Sequence, residues 1–246
     1  MNTKELFAEI QNKIKRGADP ENIRMLNKYF KESINTAGWK VPRVRALAKE
    51  YVKKFKKEKY DVNKVLDLVE KLFMTARMEE VTLALEILRH YHNIYTPKLF
   101  EIFNSWTKYL TNWAHTDDLG THHVSKLLIM DKNLFKELLE WTKSDNRWVR
   151  RLSVVSLVPE ARKGNMLNEV FKICSKLMKD GDDMVQKGVG WLLKEASKKH
   201  PIEVADFLMK WKDKTARKVL YIACEKMPKS IKDKILKKGD GELKNG

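Results

Sequence analysis

The sequence predicts an all-α protein made of stacked antiparallel helix pairs. Three observations predict it. Glycine and proline number only 10 and 6 among 246 residues, and alternating β-branched runs are nearly absent, so strand and turn signals are few. Apolar residues recur instead at helical spacing along most of the chain. Breaks in that pattern come roughly every 15 to 20 residues, so helix pairs recur about every 35 to 40. The apolar side of each pair needs a neighbouring pair to cover it, as in a HEAT-like stack curved into a right-handed solenoid with a long concave face. A compact helical domain is the alternative on pattern alone. No internal segment rich in Gly, Ser or Pro divides the chain, so one domain is expected over residues 1–240, with a short polar tail at 241–246.

The elements follow in order. Leu6, Phe7, Ile10 and Ile14 form the first apolar stripe, which Gly17 stops. Asp19-Pro20 opens a second helix with Ile23, Leu26, Tyr29 and Phe30 as its stripe. After a break at Gly38, Pro42 restarts a helix carrying Val44, Leu47, Ala48, Tyr51, Val52 and Phe55. Residues 61–73 and 77–91 form two more, the second with Glu79 and Glu80 in its first turn, where acids favour the exposed amides. Thr96-Pro97 starts the helix that leads to Trp106, and 108–118 contains a bend. Helices are expected over 119–130 and 131–141, and again after Ser144-Asp145-Asn146. Residues 165–178 and 182–197 make the next pair, and the two segments from Pro201 and Thr215 the last. The lysine-rich end is expected to fray after Gly239.

A formal charge of +17 points to an anionic partner, and duplex DNA offers the densest regular line of phosphates. Most of the excess is lysine, which binds diffusely. The lysines from Lys49 to Lys59 read first as a solvated face and second as a surface that tracks phosphates. No apolar run is long enough to cross a membrane, and "MNTKELFAEI" lacks the apolar segment of a secretory signal, so a cytoplasmic protein is expected. Cys174 and Cys224 sit among apolar neighbours without metal-binding spacing and are expected to be buried free thiols.

The chain is organised around "WTKYLTNWAHTDDL", Trp106 to Leu119, together with Trp148 to Arg151. On a helix, Trp113 and Asp117 face the same way. An aromatic plane beside a carboxylate holds a cation well; it also occurs at a plain helix junction. His115, His122 and His123 lie near Asp117 and Asp118 but form no HExxH pattern, so no metal site is expected. Arg147, Arg150 and Arg151 in "RWVRR" offer donor forks for a phosphate, or for an aspartate. Gly188 and Gly190 lie inside a helical pattern and are expected to allow close packing rather than nucleotide binding. Trp39, Trp141 and Trp211 read as core, whereas Trp113 and Trp191 stand beside Gly, Asp or basic residues.

Taken in order, "VPRVRALAKE", "LFMTARMEEVTLALEILRHY", "NWAHTDDL", "NRWVRRLSVV" and "VQKGVGWLLKE" resemble the helical-repeat DNA alkylation repair glycosylases over residues 41–195. The resemblance implies a HEAT-like solenoid with a basic concave face. It implies a monofunctional hydrolase that cleaves the N-glycosidic bond of positively charged N3- or N7-alkylated purines in double-stranded DNA. It makes Asp117 the catalytic carboxylate, Trp113 and Trp191 the aromatics against the lesion, and Arg151 the phosphate contact, with Arg150 as rival. DNA and water suffice, with no metal or organic cofactor, and a monomer is expected. The chain departs from the family at Gln186 and Gly188, where a basic residue and an alanine are common, which bears on lesion preference. The alternatives are a non-catalytic HEAT-like binder of duplex or damaged DNA and a protein-interaction scaffold.

Overall fold

Side chains cap the helices where the sequence pattern breaks. Asp19, Asp61, Asn146 and Asp182 each precede a helix and accept hydrogen bonds from its first free amides, a cap typically worth about 1 kcal/mol. The computed structural model describes residues 2–237; among them every regular element is helical and there is no strand. The expected polar tail at 241–246, and the fraying beyond Gly239, lie outside the described residues.

The chain groups into two compact units, Met1–Asp118 and Leu119–Gly246. The first holds α1 (Thr3–Arg16), α2 (Pro20–Tyr29), α3 (Val41–Lys57), α4 (Val62–Met74), α5 (Met78–Arg89), α6 (Leu99–Trp106) and all but the last residue of α7 (Trp113–Leu119). Its centre is α5, packed on α3 and α4, with α4 also on α1. Val81, Leu83, Ala84, Leu85, Ile87 and Leu88 of α5 are all buried. Each large apolar side chain removed from water contributes about 1.5–3 kcal/mol.

The second unit holds α8 (Ser125–Met130), α9 (Phe135–Trp141), α10 (Arg147–Val155), α11 (Val158–Lys163), α12 (Leu167–Leu177), α13 (Asp183–Ser197), α14 (Pro201–Trp211), α15 (Arg217–Ala223) and α16 (Lys229–Leu236). Here α13 is central and packs on α10, α11, α12, α14 and α15. Cys174 and Cys224 are free and buried. Burial pushes both thiols up, that of Cys224 to about 11.

Glu79 and Glu80 stand in the first turn of α5 as expected; both are buried, and Glu79 binds the 36–39 segment. Two expectations need correction. Tyr29 is 70% exposed, because α2 buries none of its residues and only Phe30, just past its end, goes inside. The helix expected over 119–130 carries a π-turn, Gly120–Val124, before α8 resumes.

Candidate functional site

The helix carrying Trp113 and Asp117 is started by its neighbours. The Asn112 side-chain oxygen accepts the His115 backbone N–H at 3.0 Å, and Thr116 Oγ1 donates to the Asn112 carbonyl at 2.8 Å. With its oxygen so used, the Asn112 amide nitrogen donates to His115 Nδ1 at 3.0 Å. The ring proton therefore sits on Nε2, which points to the Met78 carbonyl at 3.4 Å. His115 is fully enclosed, and burial lowers its pKa to about 4. A neutral His115 thus locks the first turn of α7 to the start of α5.

That turn holds Trp113 against two aromatics of the α2 end. Phe30 stacks on Trp113 with ring centroids 5.3 Å apart and planes 14° from parallel, and Tyr29 meets it edge-on at 6.1 Å. Beside them lies a cavity of about 220 Å³, whose wall includes Tyr29, Phe30, Trp39, Glu79, Thr82 and Trp113. One helical turn further on, Asp117 is part-exposed, so it is not sealed in the core. Its neighbour Asp118 is ion-paired with Arg89. Arg89 also approaches Glu86 at 3.9 Å, and Glu86 accepts from Arg45 Nε at 2.8 Å, so cations and anions alternate along this row.

In the second unit, Asn146 caps α10 through the Trp148 N–H at 2.9 Å. Trp148 is buried, with the Arg147 guanidinium 4.6 Å over its ring. Arg150 grips Asp180 through Nε at 2.7 Å and Nη2 at 3.3 Å, and its Nη1 donates to the carbonyls of Ser144 and Asp145. Arg151 is 6% exposed and donates to the Met184 carbonyl. Its side chain passes Gly188, where an added Cβ would lie 3.3 Å from Arg151 Cγ. Trp191, three residues further along α13, is part-exposed. Gly190 lies tight against α15, with Ile222 Cβ 2.8 Å from where its own Cβ would stand. Both glycines therefore serve close helix packing.

The structure thus joins Trp113 and Asp117 on one helix of the first unit. It places Arg150, Arg151 and Trp191 on two packed helices of the second. The sequence pattern missed Glu79 and Phe30 as parts of the Trp113 surroundings, and Arg89 as the partner of Asp118. Glu79 and Phe30 sit in ordinary helical patterns, and only their burial far along the chain gives them away. His122 is exposed with Nδ1 at 2.9 Å from Thr121 Oγ1, and His123 is buried, both in the π-turn. Among the described residues, no three His, Cys, Asp or Glu gather as a possible metal cluster.

A family model described as DNA alkylation repair enzyme matches residues 10–227. Among solved structures, the chain is similar to a predicted DNA alkylation repair enzyme from Enterococcus faecalis. The two share a TM-score of 0.74 and 17% identity, over 86% of this chain and 97% of that one. It is also similar to smu.31 from Streptococcus mutans UA159, with a TM-score of 0.55 and 20% identity, over 76% of this chain and 99% of that one. At these identities the likeness is one of fold. No curated protein gives a significant match.

Proposed function

The chain belongs to the family of DNA alkylation repair enzymes, and from that premise we propose that it is a monofunctional DNA glycosylase for positively charged N3- or N7-alkylated purines in double-stranded DNA. The observation that carries this reading is α7, which holds a part-exposed Asp117 one turn from Trp113. Alkylation makes the purine cationic, so it leaves without needing a strong acid. As the bond between C1′ and the base nitrogen breaks, its electron pair moves into the ring and neutralises it, and positive charge develops on the deoxyribose. Asp117 faces that charge and takes the proton of the water that attacks C1′. A carboxylate about 4 Å from a unit positive charge is worth about 4 kcal/mol at an effective dielectric near 20, or roughly a thousandfold in rate. The reaction as written uses DNA and water alone.

Trp113 and Trp191 are the proposed aromatics against the damaged nucleotide. Arg151 is the proposed phosphate holder, with Arg150 its rival. Arg151 donates to the Met184 carbonyl. Arg150 would have to release the paired oxygens of Asp180. The lysines supply sequence-independent binding to the backbone. The helix pairs are taken as one right-handed HEAT-like stack, a monomer with its basic concave face toward the duplex.

Asp117→Asn tests the reading directly. Release of 7-methylguanine from duplex DNA should fall at least about a hundredfold, with circular dichroism unchanged. Wild-type excision at the same rate in the variant would remove Asp117 from this role. Duplex binding by the wild-type protein without any base release would favour the non-catalytic binder, which shares the charge of +17.

A further inference from the structure

A separate set of cations gathers between α1 and α3. The open groove there measures about 510 Å³, and its lining includes Glu9, Lys13, Arg16, Gly17 and Arg43. That volume lies within the roughly 300–1,000 Å³ of small-ligand sites. Its charges are not balanced inside the protein. Glu9, the one acid of the lining, already accepts from the Tyr51 hydroxyl at 2.8 Å and faces Lys54 Nζ at 3.7 Å. Lys13 pairs with Glu50 at 2.7 Å. Among the described residues no carboxylate pairs with Arg16 or Arg43.

Arg43 is also held in place. Its guanidinium carbon lies 3.6 Å over the centre of the Trp39 ring, and Nη1 donates to the Gly17 carbonyl at 2.8 Å. Glycine at position 17 makes room for both partners. An added Cβ would collide with Arg43 Nη2 and stand 2.7 Å from Trp39 Cζ2. The Nη1 bond closes the carbonyl end of α1, and Lys13 and Arg16 in its last turn suit that end too. Helix capping does not use the rest of the fork. The edge formed by Nε and Nη2 of Arg43 has no hydrogen-bond partner among the described residues. Stacking and a single hydrogen bond have therefore already ordered a long side chain, which lowers the cost of binding through that edge. Arg16, exposed in the same groove, supplies a second charge.

We infer that this groove binds a phosphate group, with the Nε and Nη2 edge of Arg43 as its two-point donor and Arg16 as its second cation. Phosphate suits the pair better than a carboxylate does. Its tetrahedral oxygens can meet the flat fork and a cation from another direction, whereas a carboxylate spends both oxygens on the fork. A nucleic-acid backbone and a free phosphate ester present the same oxygens. The inference does not rest on base excision, since neither source needs a lesion.

Two titrations of the intact protein separate those sources. One is calorimetry with inorganic phosphate, and the other is fluorescence anisotropy with an unmodified labelled duplex at fixed salt. Arg43→Gln should weaken binding at least about tenfold in one titration or both. Arg43→Lys keeps the charge and loses the fork, so it should lose most of the same affinity. Lys15→Gln is the control. It removes a charge beside Arg16, but Lys15 lines a different groove with Asn35 and Arg77, so its loss should stay under about twofold. Melting curves show that each variant is folded. A loss with the duplex assigns the phosphate to a nucleic-acid backbone, and a loss with inorganic phosphate alone assigns it to a free ester. No loss for Arg43→Gln in either titration, wild-type binding by Arg43→Lys, or an equal loss in Lys15→Gln would overturn the inference.

Discussion

Asp117 and Asp118 are adjacent carboxylates, and two such charges side by side disfavour each other. The Arg89 guanidinium offsets that by pairing with Asp118. Removing it in Arg89→Met takes that pairing from Asp118. The side chains of Arg89 and Asp118 are 23% and 18% exposed, so water screens part of the loss and the cost falls below that of a fully buried pair, at about 1–3 kcal/mol. Adding Asp118→Asn should restore part of it, and urea unfolding of the two single variants and the double variant measures the coupling. His115 gives a second prediction. Its folded pKa, lowered to about 4 by burial, lies below the ordinary 6.5, so the unfolded chain binds the proton first. Stability from this group is complete above pH 6.5 and is lost as pH falls toward 4, by about 3 kcal/mol. His115→Gln should show a shallower acid dependence over that interval in urea unfolding.

At the level of elements, the caps were legible because they are local. Asp19, Asp61, Asn146 and Asp182 are short acceptors standing beside the breaks, and each caps the helix that follows. The π-turn at Gly120–Val124 was not legible, since an apolar stripe shifts only slightly across one widened turn. The exposure of Tyr29 was missed for another reason: α2 has an apolar stripe, but burial depends on whether a neighbour covers it. The two glycines of α13 separate intrinsic helix preference from packing. Alanine favours a helix over glycine by about 1 kcal/mol. At Gly190 an added Cβ would stand 2.8 Å from Ile222 Cβ and 3.3 Å from the Val219 carbonyl oxygen. Overpacking of that kind costs about 1–3 kcal/mol, so Gly190→Ala should lower the thermal midpoint. Gly188→Ala, with nothing nearer than 3.2 Å, should leave it close to wild type.

For the molecule as a whole, the all-α class and the family were readable because they are spread over many residues. The Trp113 and Asp117 spacing was readable because it lies within one helical turn. The surroundings of Trp113 were not, since Phe30 and Glu79 reach it only after α2, α5 and α7 have packed. Charge acts at this largest scale too. With +17 on the chain, duplex affinity should fall linearly on a plot of log K against log salt concentration. A slope near zero in a fluorescence-anisotropy titration would instead favour a scaffold that does not use its charge on DNA.

The two thiols, Cys174 and Cys224, are shut away from solvent, and burial holds both in the unreactive protonated form. The native protein should therefore ignore maleimide dyes. A single cysteine engineered at an exposed site such as Lys108 would be the one reactive handle, so a fluorophore can be attached there without first mutating the natural pair.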